Sequence, residues 1–200
     1  NPYQLPLATI RVRVFQDTVP ADGVYEIDAE RGLSGFRAYL NDLLGDVSTD
    51  YFGNPICTTY EHTAKDTLHP DGQVVFDADG KPVIAANNTG SCVSDNNGDI
   101  VIPNMAPGRY GIVIRQPANR ITWMQTTTLE GAQDHDWWVM AGDTGYGQET
   151  TWGGELVPEV QFGFVPPQTT VSPRQARGTG SISGTVHEGC TYIASSGGAY

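Results

Sequence analysis

All four tryptophans of this sequence, Trp123, Trp137, Trp138 and Trp152, fall within one short stretch, with Tyr146 among them. Aromatic faces gathered in this way stack on sugar rings or fill a partner's pocket, and they equally build a core with a lid over it. On a strand, Trp137 and Trp138 must aim their rings at opposite faces, so one of the pair is expected to reach the surface. Asp134-His135-Asp136 and Glu61-His62 place an imidazole beside carboxylates, the raw material of a general base or a metal ligand. Sequence neighbours on a strand diverge, however, and no second His follows at helical spacing, so both histidines read as structural. Glu155 and Glu159 could form an acid pair, but carboxylates are plentiful here and their separation in space is unknown. No Gly-x-Ser-x-Gly elbow, Walker loop or Gly-x-Gly-x-x-Gly fingerprint occurs, and no catalytic role is expected.

The three cysteines form no CxxC pair and no ligand-spaced cluster with His, which leaves a disulfide ahead of zinc or iron-sulfur chemistry. Cys57 and Cys92 each lie in a strand-like segment. A bridge between them would stabilise the fold by roughly 3 to 4 kcal/mol in the chain-entropy model, the alternative being two buried thiols. Cys190 is then left over, and in an oxidising compartment its partner is expected outside these 200 residues.

The elements that position these groups are strands. With 24 Gly, 13 Pro and only 17% charged residues, the chain is poor in helix formers and rich in turns. Alternation of apolar and polar residues predicts strands over 8–15, 33–40, 73–76, 100–103, 110–115, 121–129, 137–140 and 160–165, with a short helix over 150–156 as an option. In Ile10-Arg11-Val12-Arg13-Val14 the branched residues face one way and the arginines the other. Phe76-Asp77-Ala78-Asp79-Gly80-Lys81 and Ser94-Asp95-Asn96-Asn97-Gly98-Asp99 read as hairpin turns. The formal charge of −12 lacks the basic field that nucleic acid or anionic lipid requires, and no apolar run approaches the roughly 20 residues of a membrane span. No nucleic-acid or membrane partner is expected.

Three domain-level segments follow. Residues 1–165 are expected to form the sandwich, 166–180 a Pro-rich linker, and 181–200 either the first strand of a further module or a strand-exchange tail, since Ser181 to Val186 alternates again. A chain opening at Asn1-Pro2 without Met reads as a processed or excised product.

Two stretches carry a resemblance. Residues 12–40, VRVFQDTVPADGVYEIDAERGLSGFRAYL, resemble the opening of the SdrD B-like repeat of bacterial surface proteins: an aromatic-ended strand, an acidic loop with Asp-Gly, Glu-x-Gly-Leu-x-Gly and a second strand. Residues 95–114, DNNGDIVIPNMAPGRYGIVI, are similar to the Asp-x-x-Gly turn, strand, Pro-Gly and Tyr strand of the wider Cna-B, carboxypeptidase-regulatory and prealbumin-like superfamily, and 161–165 to its closing strand. The resemblance implies an all-β, Greek-key β-sandwich (Ig-like or prealbumin-like) with long loops, in a secreted or cell-surface protein. It implies a structural or adhesive role; the partners, neighbouring modules or copies of the same chain, are expected from the tail strand, which should pair by strand addition either with them or with the first module. It also implies calcium in the acidic loop, with Asp17, Asp22, Asp28 and Glu30 as the matching ligands and Glu26 as a substitute; the spacing departs from the family's by one residue at either side of Asp22-Gly23. An internal isopeptide bond is not expected, because the first strand offers Arg11 and Arg13 where the cross-linking relatives place Lys. The rival readings are a carbohydrate-binding module using the tryptophans and, behind it, a secreted enzyme.

Overall fold

The computed structural model describes residues 7–18, 25–26, 28–67, 72–128, 132–142, 145–147 and 159–167. These lie in the first of two units into which the chain divides, 1–167 and 168–200. The expected tail strand over 181–186, most of the linker and the optional helix over 150–156 fall outside the described residues.

Among the described residues there are ten strands: β1 Ala8–Gln16, β2 Arg31–Gly32, β3 Arg37–Asp42, β4 Gly45–Val47, β5 Asp99–Met105, β6 Gly108–Arg115, β7 Met124–Gln125, β8 His135–Val139, β9 Tyr146–Gly147 and β10 Val160–Val165. They make two five-stranded sheets, one ordered β2-β1-β10-β7 with β5 also on β1, the other β4-β3-β6-β8-β9. The described residues thus form the expected all-β sandwich, the chain crossing from one sheet to the other six times between β1 and β10. Alternation works as geometry demands: in β1, Ala8, Ile10, Val12 and Val14 are buried while Arg11 is exposed and Thr9 and Arg13 are half-buried. Between the sheets, Ile10, Val12, Ile100, Ile102, Phe162 and Phe164 pack against Leu40, Ile112, Ile114, Trp137 and Val139.

One edge of β1 is divided between two partners. β5 pairs antiparallel with residues as far as Arg13, and β2 takes over at Phe15. At the junction the Val14 amide donates to the Gly98 carbonyl at 2.8 Å, while the Val14 carbonyl accepts from the Leu33 amide at 2.8 Å. Gly98 lies at φ +84°, and a Cβ there would sit 2.0 Å from the Val14 oxygen and 2.9 Å from the Gly32 Cα. Only glycine fits.

Three five-residue loops share one construction. In 50–54, 77–81 and 95–99 the leading Asp accepts through Oδ1 from the amides two and four residues on, at 2.8 to 3.0 Å. In each, the glycine amide donates to the Asp carbonyl at 3.1 Å, and the Asp amide donates to the carbonyl four residues on. The sequence signals the second and third; Asp50-Tyr51-Phe52-Gly53-Asn54 hides the same pattern behind two aromatics.

Several expected strands shrink. Residues 33–36 bend instead of pairing in a ladder, because buried Ser94 ties them. Its hydroxyl donates to the Leu33 carbonyl at 2.6 Å and accepts from the Phe36 amide at 3.0 Å. Among the described residues 121–128 only Met124–Gln125 is strand, following a 3-10 turn at Ala118–Arg120. Residues 73–76 make isolated bridges only.

Gly98→Ala is expected to lower stability by roughly 2 to 4 kcal/mol, since it adds both backbone strain and a collision with Val14. Gly80→Ala, at φ +76° but with nothing within 4 Å of the added Cβ, tests the strain alone and should cost about 1 kcal/mol. Urea midpoints of the two variants measure the difference.

Candidate functional site

The acidic loop that follows β1 closes on itself. Glu30 is buried, and its carboxylate accepts from the Thr18 amide at 2.5 Å, the Thr18 hydroxyl at 3.3 Å and the Glu26 amide at 3.1 Å. Asp17 is buried at the start of the loop. Tyr25 packs its ring 5.2 Å from that of Phe15 and donates its amide to Gln161 Oε1. Asp28 stays exposed and, with Gln16, Thr18, Ala29, Glu30 and Arg31, lines a shallow hollow of about 450 Å³. Arg31 is held there by donating Nε to Gln16 Oε1 at 2.8 Å. The structure therefore brings Asp17, Glu26 and Glu30 into one loop and leaves Asp28 on its rim; Asp22 falls outside the described residues. Among the described residues no three His, Cys, Asp or Glu side chains come together as a metal-holding group.

The tryptophans separate as strand geometry requires. Trp137 is in the core, with β9 laid over it: a Cβ on Gly147 would come within 2.8 Å of the Trp137 ring. Trp138 faces the other way, half-buried, with the Arg109 guanidinium 5.5 Å from its ring centroid and Asp136 paired to Arg109. Trp123 is half-buried against the core and carries Arg120 at 5.3 Å. Trp152 falls outside the described residues, and Tyr146 is placed only through its backbone pairing with Trp138. Both of these histidines rest against backbone carbonyls. His135 sets Nε2 2.6 Å from the Thr127 carbonyl and its ring 4.5 Å from that of Phe162, and His62 Nδ1 lies 3.0 Å from the Tyr60 carbonyl.

A third place went unmarked in the sequence. Residues 48–92 leave β4 and return beside β3, and Cys57 and Cys92 are bridged across them, their Cα atoms 5.4 Å apart. Cys57 is not on a strand as expected; it sits in a turn at φ +64°. Under this excursion the Asp50 carboxylate, buried, accepts from the Tyr60 hydroxyl at 2.5 Å, and that hydroxyl accepts from Asn54 Nδ2 at 2.9 Å. Phe52 packs edge-on against Tyr51, Tyr60 and Phe76, with centroids 5.3 to 5.7 Å apart. Tyr51 and Phe76 remain partly exposed. These aromatics are scattered from position 51 to 76 with no shared period, so only the Asp-x-x-Gly-Asn loop could have drawn attention to them. Burial first, then the hydrogen bond and charge of Asp50, holds the Tyr60 hydroxyl protonated well above the usual tyrosine range. Burial and the charge of Asp42 push Tyr110 in the same direction.

No protein-family model matches the chain, and no curated protein matches it. Among solved structures it is similar to a minor pilin of the gram-positive pathogen Streptococcus agalactiae, with 11% identity, 84% of this chain and 49% of that chain covered, and a TM-score of 0.40. The chain spans about half the length of that neighbour.

Because both tyrosines titrate higher in the folded than in the unfolded chain, their contribution to stability is complete below about pH 10 and declines as pH climbs above it. Tyr60→Phe should cost about 1.5 to 3 kcal/mol at neutral pH, by taking a hydrogen bond from a buried carboxylate, and should flatten that alkaline decline. Chemical denaturation at pH 7 to 11 reads both effects.

Proposed function

We propose that this chain is a non-catalytic structural or adhesive module of an extracellular surface protein or filament. The observation that carries the reading is the Cys57–Cys92 bridge, which closes a 35-residue excursion onto a β-sandwich. Such bridges persist in oxidising compartments outside the cytoplasm. A stapled loop also suits a part that must keep its shape under stress better than one that must open and close.

The acid and base groups support the same reading by what they are bonded to. Glu30 is committed to loop amides, Asp50 to Tyr60 and two amides, and Asp136 to Arg109. The two described histidines that the sequence singled out rest against backbone carbonyls. Each of these does structural service. Neighbouring modules or further copies of the chain are the proposed partners, with strand addition by the tail beyond residue 180 as the proposed route.

Calcium belongs to this proposal as a stabiliser of the 17–30 loop. Its support is that Asp17, Glu26 and Glu30 lie in one short segment rich in carboxylate oxygens, the ligand type calcium takes. Against the rival carbohydrate reading stand the arginines already covering one face of Trp123 and of Trp138.

Antibody raised against this module is expected to label intact cells of the source and to follow the cell-surface or fibre fraction; a purely cytoplasmic signal refutes the placement. Reduction, or Cys57→Ser with Cys92→Ser, should lower stability by about 3 to 4 kcal/mol while leaving the sandwich folded. For calcium, millimolar ion should raise Tm and chelator should reverse it. A melting curve that ignores both removes calcium from the reading.

A further inference from the structure

Strand β3 joins two unlike ends of its sheet. At its start, Arg37 stands directly opposite Arg115 of β6, and both are exposed. Like charges opposed across an antiparallel pair repel, and among the described residues neither has an acidic partner. Arg120 reaches the same end by donating to the Ser34 carbonyl, close after which Ile121 and Met124 are 67% and 62% exposed. That end is basic with an apolar surface beside it.

At the far end, about 17 Å along the strand, β3 turns into β4 through two residues, Leu43 and Leu44. They are 88% and 97% exposed. The turn makes no use of leucine, since polar residues serve such positions freely. Its shape is set elsewhere: Asp42 Oδ1 accepts from the Leu44 amide at 2.7 Å, and Gly45 takes φ +125°. The tip is therefore a rigid apolar knob whose docking loses little conformational freedom. Asp42 and Asp46 flank it, and residues 38–54 contain three aspartates and neither Lys nor Arg.

We propose that the two ends are complementary and that copies of this chain associate head to tail. The Leu43-Leu44 knob with Asp42 and Asp46 of one copy docks on the apolar, arginine-bearing end of the next, formed by Arg37, Arg115, Arg120, Ile121 and Met124. This rests on the reading of the chain as a structural module and names surfaces other than the tail by which such a module would join its neighbours. An interface of this kind joins different patches on the two copies, so it leaves one knob and one basic end free after each addition and continues until it closes or runs on as a filament. Acidic flanks direct the knob away from anionic lipid and toward a basic rim.

The test is sedimentation velocity of the intact 200-residue chain over a concentration series, at low and high salt. The wild type should show mass rising with concentration and falling with salt. Leu43→Ser with Leu44→Ser, and separately Arg37→Glu with Arg115→Glu, should each weaken association by about tenfold or more, with unchanged Tm. Each variant keeps one intact end, so a mixture of the two should form 1:1 dimers that grow no further. Dimers in the mixture are a result that misfolding of either variant cannot produce. A wild type that stays monomeric at roughly millimolar concentration overturns the proposal. So does association that survives both variants and is lost only on deleting residues 178–200, which would leave the surface-module reading intact with the tail as the joint. Conversely, head-to-tail association in a protein that antibody finds only in the cytoplasm would keep this interface and refute the surface placement.

Discussion

The sandwich depends on a single crowded crossing at Val14. There the edge of β1 passes from one partner to another, and both backbone groups of one residue are claimed from different parts of the chain, by Gly98 and by Leu33. A buried edge with a gap in its ladder would leave a donor and an acceptor unsatisfied, at a cost of about 1 to 3 kcal/mol each. The gap closes because the 95–99 loop and β2 both come within contact of the strand, which they do only where neither Gly98 nor Gly32 carries a side chain. Arg13 fastens the same corner from outside, through Asp99 at 2.9 Å and the Asn97 carbonyl at 2.9 Å.

The second sheet repeats the device. β4 pairs with the last part of β3, and residues 92–94 pair with its approach: the Ala38 amide donates to the Cys92 carbonyl and the Ser94 amide to the Phe36 carbonyl, both at 2.8 Å. Residues 48–91 thus depart and return along one strand edge. Their two ends are held close by the sheet before any covalent link is made, so the Cys57–Cys92 bridge reinforces a closure the backbone already favours. The aromatic group around Phe52 and the Asp50-Tyr60 pair then give the excursion a small interior of its own.

Much of this frame could be read from residues alone. β1 and β10 announce themselves by alternation and by a dense apolar run, and two of the three aspartate loops by their turn chemistry, while the cysteine pair was read from two strand-like segments of which that around Cys57 is a turn. Residues 33–36 misled because Leu33 and Phe36 are apolar and buried as a strand's would be; what decides their shape is Ser94, about 60 positions away, whose hydroxyl no local pattern reveals. Residues 121–129 looked like a strand because Ile, Trp, Met and Thr recur there, yet Arg120 and Trp123 are organised by a tight turn and cation–π contact. The acidic loop was visible as a cluster of charges. That Glu30 would spend its oxygens on Thr18 and Glu26 amides was not, because such bonding depends on the path the backbone takes.

The first and last strands of the sandwich lie side by side and run parallel, in register from Val12 with Val160 to Gln16 with Phe164. A chain arranged in this way enters at one end of the body and leaves at the other. Tension applied through its two ends would pull β1 and β10 past each other along their length. Their hydrogen bonds would then be loaded together in shear, and none could yield first as the teeth of a zipper do. The weakest direction of the sheet is turned away from the line of pull.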